Sequence, residues 1–302
     1  MSKHNLRPVI TTKFDYNKPS IIFTIGPTGS GKSKLLNKTV ELIYHNKTIP
    51  PFKTFLIDDY VESSYNYKTR INSIIDKYNC KTSIESGTCD IENPSQDLLT
   101  DFADSYMSVR KDGPCQKSGD GGCNNLFDVA LTKATNNKEN IVFETTGMSI
   151  PTWLLDFPTI KQADYNVIFV YSIVNFDELI RRNISRAKQS LKEYIADNNI
   201  NAPRLPNISP DVFKATTKHI MRTLDKLRNI CLRIGRPPID SGCGSINSGS
   251  KFILLIFDNN SATKNLIYDS RTTDMYMTDI EFKTLLFSYN LSGGHIKLLK
   301  KK

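Results

Sequence analysis

The sequence predicts an α/β fold: a parallel sheet of about five strands covered by helices on both faces, with a helical lid and a C-terminal extension. Two observations carry this prediction. Short apolar runs rich in β-branched and aromatic residues recur at Ser20–Ile25, 54–57, 140–143, Asn166–Ile173 and 252–257. Between them lie longer stretches whose apolar residues recur at helical spacing, the alternation expected of parallel strands joined by crossover helices.

The elements follow in order. Residues 1–19 are polar and aperiodic, a lead-in. The first strand ends in glycines and is followed by a helix over 34–45, where Leu35, Leu36, Val40, Leu42 and Ile43 share one stripe. The second strand, 54–57, ends at Asp58-Asp59. Residues 62–110 read as mixed helix around Ile71, Ile74, Ile75, Leu98, Leu99 and Phe102. Four glycines, a proline and two cysteines between Lys111 and Asn125 predict a loop, within an insertion at about 80–123. A helix over 126–134 leads to the third strand, which ends at Glu144. Pro151 suits the first turn of a helix over 151–157. After the fourth strand come two basic helices, about 176–195 and 210–233, joined by a link holding Pro203, Pro206 and Pro210. A polar Gly/Ser segment precedes the fifth strand. Residues 262–302 add a short strand and helix and a tail ending in Lys300, Lys301 and Lys302. The main domain is thus 20–261, with basic lid helices within 176–236.

Composition narrows the class. The chain has 302 residues, 39% of them hydrophobic and 24% charged, which excludes collagenous, wholly disordered and coiled-coil chains. No run approaches the length of a membrane span. The N-terminal residues are polar, not an apolar signal core, so an intracellular location is expected. On that expectation the six cysteines (Cys80, Cys89, Cys115, Cys123, Cys231, Cys243) are reduced thiols, and no spacing among them completes a four-ligand zinc site. Heavy use of Asn, Lys and Ile points to an AT-rich genome, such as that of a large DNA virus or a protist.

The strongest motif is Gly26-Pro27-Thr28-Gly29-Ser30-Gly31-Lys32-Ser33, a full G-x-x-x-x-G-K-[ST] (Walker A) match between a buried strand and a helix. Glycines let successive backbone N–H groups converge on one anion, and the helix N-terminus adds its positive end. Lys32 is expected on the β/γ-phosphates and the Ser33 hydroxyl on Mg2+. The predicted cofactors are ATP or GTP with Mg2+.

What the phosphate is used for depends on groups at the carboxyl ends of other strands. Asp58-Asp59 and Glu144, with Thr145 and Thr146, stand there. A phosphotransferase needs one carboxylate to take the acceptor's proton and another to orient magnesium or its water. The plain alternative for Asp58-Asp59 is a helix cap, and for Glu144 a polar strand end. Arg182 and Arg186 lie four apart on one helix face, and Arg204 follows in the Pro-rich link. Guanidinium groups there would stabilise the charge of a transferring phosphoryl, or would simply form a solvated basic face.

These features together, with Phe143-Glu144-Thr145-Thr146-Gly147, resemble the zeta-toxin-like P-loop kinases over roughly residues 20–260. The resemblance implies a three-layer P-loop kinase-like fold and transfer of a γ-phosphoryl to a sugar or nucleotide-sugar hydroxyl. It implies Asp59 as the base, with Asp58 as its alternate, and Glu144 and Thr146 as the family's Glu-x-Thr. Its phosphate-clamping arginines fall on Arg182 or Arg186 and on Arg204. Asp258-Asn259 resembles a recurring Asp-Asn near the nucleotide.

Three functions therefore compete: a small-molecule kinase, a polynucleotide kinase acting on DNA or RNA ends, and an NTP-binding regulatory protein without transfer. The chain carries 40 Lys+Arg against 31 Asp+Glu, a net charge of +9 and a pI of about 9.1. Residues 176–236 hold 13 basic and 6 acidic side chains, so most of the excess sits on the lid and the helix after it. That placement favours a clamp on phosphates, with nucleic acid as the runner-up partner.

Overall fold

A computed structural model describes residues 14–116, 121–146, 165–206, 252–260 and 264–269, with single positions Ala215, Lys218, His219, Arg222, Glu281 and Thr284. The predicted helices at 151–157 and 210–233, the Gly/Ser segment and the basic tail lie outside these residues. The chain divides into two compact units, one of residues 1–53, 138–175 and 216–302, the other of 54–137 and 176–215.

The first unit carries most of the sheet. Strands β1 (Ser20–Ile25), β2 (Lys53–Phe55), β3 (Ile141–Thr145), β4 (Asn166–Ile173), β5 (Phe252–Asp258) and β6 (Asn265–Asp269) stand in the order β2-β3-β1-β4-β5-β6. β1 pairs in parallel with β3 and β4, and β4 with β5; β6 runs antiparallel to β5. Every residue of β1 is buried, as its unbroken apolar pattern requires of a central parallel strand. On one face Ile22, Val142, Ile168, Val170, Ile253 and Leu255 pack with Leu35, Val40 and Ile43 of α1 (Lys32–Ile43). The other face carries Phe23 between Phe143 and Phe169, at centroid distances of 5.7 and 5.2 Å, because the three share one register position. The expected mixed α/β architecture is present. The sixth strand supplies the short strand expected in the extension and covers the β5 edge.

The second unit is helical. It contains α2 (Ile57–Glu62), α3 (Tyr65–Lys77), α4 (Gln96–Met107), α5 (Cys123–Asn136) and α6 (Phe176–Ala196), with a π-helical turn over Ser108–Asp112. Ser64 and Ser95 cap α3 and α4, each hydroxyl accepting from the backbone N–H three residues on. Val61, Tyr67, Ile71, Leu98, Phe102, Leu191, Tyr194 and Leu205 form its core.

Two expectations are corrected here. The second strand stops at Phe55 instead of Ile57, and α2 begins at Ile57, so Asp58 and Asp59 sit in the first turn of a helix. The physical reason is that paired acids favour the positive N-terminal end of a helix over a strand. The cysteines of the insertion are also not free thiols: Cys80 is bonded to Cys89 and Cys115 to Cys123. The pairs have Cα–Cα distances of 5.2 and 4.8 Å, within disulfide reach, and all four residues are buried. The loop expected over 111–125 is correspondingly shorter, since the π turn runs to Asp112 and α5 starts at Cys123. No helix among the described residues is long and apolar enough to cross a membrane.

Candidate functional site

The phosphate loop occupies the end of β1 in the first unit. Gly26 cannot carry a side chain: a Cβ there would fall 2.5 Å from Ser30 Oγ and 3.0 Å from the Ser172 carbonyl oxygen. Gly31, at φ 76°, turns the chain into α1 through the left-handed region. The loop is braced from behind. Ser172 Oγ and Asn259 Nδ2 both donate to the Ser30 carbonyl, at 2.5 and 2.6 Å, and Gly26 N donates to Thr145 O. These braces hold the backbone in the conformation that an anion needs.

Inside this frame three predicted residues meet. Lys32 is buried, and its Nζ donates to the carbonyls of Gly26 and Pro27 at 3.0 and 3.1 Å. It also lies 3.4 Å from Glu144 Oε1. Ser33 Oγ donates to Glu144 Oε2 at 2.9 Å. The β1–β3 register explains the meeting, since Thr24 stands beside Glu144 one residue before the strands end. The glutamate bridges the residue expected on phosphate and the residue expected on magnesium. The hydroxyl and carboxylate oxygens of Ser33 and Glu144 are hard donors side by side, a set that fits Mg2+.

Pro27, Thr28 and Gly29 complete the loop, and Thr146 follows β3 with its side chain exposed. Asp258 accepts from Asn260 N and Nδ2 at 3.0 and 2.6 Å, while Asn260 Oδ1 accepts from Asn175 N. Asp258 therefore shapes a turn, and Asn259 reaches the loop through the Ser30 carbonyl.

The remaining candidates belong to the second unit. Asp58, Glu62 and Arg204 form a largely buried cluster, their side chains 12–16% exposed. Arg204 Nη1 lies 2.6 Å from Asp58 Oδ1, and the Tyr106 hydroxyl donates to the same oxygen. The Arg204 guanidinium also stacks 5.3 Å from the Tyr106 ring centroid. Its chain segment is tethered: Ala202 N donates to Glu62 O at 2.8 Å and the Tyr67 hydroxyl to Pro203 O at 3.0 Å. Glu62 Oε1 lies 3.8 Å from both Arg204 Nε and Arg186 Nη2, too far for a hydrogen bond, and accepts none.

The electrostatics follow from burial. Desolvation pushes the Glu62 carboxyl up to about 7 against the pull of Arg204, and Asp58 pushes the same way as burial. Burial and the Asp58 charge also hold the Tyr106 hydroxyl well above its ordinary range. Asp59, on the same turn, is exposed.

The predicted arginines divide. Arg186 joins Arg204 at Glu62, whereas Arg182 Nε donates to Glu178, on its own helix, at 2.6 Å. Glu178, bonded by Arg181 and Arg182, is pulled down to about 2. Glu62, Tyr106 and Tyr67 are additions to the predicted set. Only Glu62 had a legible signal, because it falls four residues after Asp58 on one helical face once α2 is known to start at Ile57.

No family model matches the chain, and no curated protein matches it. Among solved structures, one from the PezAT chromosomal toxin-antitoxin system of the human pathogen Streptococcus pneumoniae is similar, with 12% sequence identity and a TM-score of 0.46, over 95% of this chain and 83% of that one.

Proposed function

We propose that the chain is a Mg2+-dependent P-loop phosphotransferase that moves the γ-phosphoryl of ATP or GTP to a hydroxyl of a small molecule such as a nucleotide sugar. The carrying observation is the bridge Lys32–Glu144–Ser33 on a braced phosphate loop. Ser33 and Glu144 would hold the magnesium ion, which when bound neutralises phosphate charge and orients the β- and γ-oxygens. Lys32 gives up its carbonyl partners for phosphate oxygens.

In the transfer, the bond from the γ-phosphorus to the bridging oxygen breaks, its electrons leave with the nucleoside diphosphate, and the acceptor oxygen forms the new bond. The acceptor's proton passes to a carboxylate. Asp58 is already committed to Arg204 and Tyr106, so Asp59 takes that role. Arg186 and Arg204 supply positive charge for the phosphoryl group.

A small-molecule acceptor is supported over a nucleic-acid end by the charge pairing of α6. Lys188 and Lys192 pair with Glu85 and Glu92, and Arg181 and Arg182 with Glu178, so these cations are not presented as a phosphate-tracking stripe. The test is incubation with γ-labelled ATP and GTP and a panel of nucleotide sugars, nucleosides, DNA ends and RNA ends. Label in a small hydroxyl compound is the expected result. Label in nucleic-acid ends establishes the polynucleotide reading instead, and bound nucleotide without transfer establishes a regulatory one.

A further inference from the structure

The insertion contributes one cation that the transfer chemistry leaves unused. Arg110 stands in the π-helical turn over Ser108–Asp112, outside every motif that carries the family resemblance. Turns of this kind are rare and recur at functional sites. The backbone here is fixed. Gly113 N donates to Ser108 O at 2.7 Å, Val109 is buried, and the Arg110 carbonyl packs so closely on Gly122 that no Cβ fits there.

The side chain is held on two sides. Arg110 Nε donates to Asn124 Oδ1 at 3.3 Å, and the guanidinium lies 5.9 Å from the Tyr106 ring centroid. Its neighbours differ in what they pair with. Arg204 is bound by Asp58 and Arg186 faces Glu62, whereas Arg110 has only neutral partners among the described residues. Its two Nη groups have no acceptor among those residues. A guanidinium held at Nε and against a ring, with its Nη edge open, is a preformed fork for an oxyanion. The position of the fork indicates whose oxyanion it meets. The Tyr106 hydroxyl donates to Asp58, so one ring joins Arg110 to the helix turn that also carries Asp59.

We propose that Arg110 is a specificity-determining residue that binds an oxyanion of the acceptor itself, a phosphate or carboxylate set apart from the hydroxyl that is phosphorylated. The acceptor is then an anion, and a neutral hydroxyl compound is a poor one. Arg110 takes no part in bond making or proton transfer. It orients the acceptor and leaves the transferring phosphoryl to the loop and the lid. The inference rests on the phosphotransferase reading in placing the acceptor hydroxyl at Asp59.

The test titrates the full chain, labelled with [15N]arginine, with glucose 1-phosphate, glucuronate and glucose, probes that share a ring and differ in charge. The Nε–Hε signal of Arg110 reports its own site, and that of Arg70, exposed on α3, reports loose attraction of any anion. The Arg110 signal should move with a charged probe at concentrations that leave Arg70 unmoved, and should not move with glucose. A response to glucose 1-phosphate alone identifies a phosphate ester as the acceptor, and one to glucuronate alone a carboxylic acid. With whichever acceptor takes label, Arg110→Gln should lower kcat/KM by about 10- to 100-fold, chiefly through KM, as a charge-assisted bond is lost. Arg110→Lys, with the charge but not the fork, should recover part of that loss. An Arg110 signal unmoved by both charged probes, one that moves no more than Arg70, or one that moves equally with glucose overturns the proposal. Those outcomes need only the wild-type chain, so misfolding of a variant leaves the test intact. Phosphotransfer without an Arg110 response sinks this inference alone, and an Arg110 response without phosphotransfer counts against the function only.

Discussion

The two units solve the problem of holding charge in opposite ways. The first builds its site around one contiguous segment, eight residues of loop, to which strand register delivers one glutamate and two side chains distant in sequence brace a carbonyl. Its described residues contain no cysteine, and its core is aliphatic and aromatic strand packing. The second assembles its charges from residues 58, 62, 106, 186 and 204, buries most of them, and closes two local loops with disulfides. A site of backbone amides is satisfied by geometry that glycine permits. A site of buried side-chain ions is held only by its partners, so deleting one exposes the others to desolvation.

The sharpest way to break the comparison is Lys32→Ala. Removing the cation that faces the phosphates should lower nucleotide-dependent transfer by about 10^3-fold, while amide exchange in α3 and α4 stays as in the wild type. Undiminished turnover would sink the phosphotransferase reading.

Arg204→Ala tests the second unit. It leaves Asp58 and Glu62 buried together without their shared guanidinium, a loss of about 3–5 kcal/mol for a broken buried pair. The expected readout is faster amide exchange across 57–77 and 96–107, with the β1 and β4 amides unchanged. If β1 and β4 exchange accelerates equally, the units do not differ in the way described.

The same contrast governs what the sequence revealed. The phosphate loop was legible because its chemistry depends on contiguous residue types and on a strand–loop–helix order that hydrophobic periodicity shows. Glu144 was legible because it ends an apolar run. The Glu62–Arg204 contact was not, since 142 positions separate the partners and no periodicity links them. The disulfides were not legible for a related reason: an expected compartment does not determine the state of Cys80, Cys89, Cys115 and Cys123. The pairing depends instead on three-dimensional proximity, each pair of Cα atoms standing about 5 Å apart. The start of α2 was not legible, because Leu56-Ile57 suits a strand locally and only the following acids mark a helix N-terminus.

Acidity sharpens the comparison at a somewhat smaller scale. Folded, Glu62 keeps its proton to about pH 7; unfolded, it loses it near 4.5. Between those values the folded chain binds the extra proton, so the second unit is most stable at the acid end and loses stability as pH rises through the window. The full shift corresponds to at most about 3–4 kcal/mol at about 1.4 kcal/mol per pH unit. Denaturation followed by exchange in α3 should show this fall from pH 5 to 7.5, and Glu62→Gln should flatten it.

The smallest expected effect comes from the disulfides. Cys80–Cys89 and Cys115–Cys123 close loops with sequence separations of 9 and 8, for which chain entropy predicts about 2–3 kcal/mol each. The two bonds are not equivalent in consequence. Cys80–Cys89 encloses a loop carrying Ile84, whose side chain packs into the helical core. Both sulfurs of Cys115–Cys123 lie within 3.6 Å of the Tyr60 carbonyl oxygen, in the helix that carries Asp58, Asp59 and Glu62. Reduction with a dithiol should therefore destabilise the second unit and leave the first unchanged. Cys80→Ser with Cys89→Ser should lower stability alone, whereas Cys115→Ser with Cys123→Ser should also shift the Arg204 Nε–Hε signal, because it loosens the support beneath α2. An unshifted signal would mean that α2 holds its charges without that support.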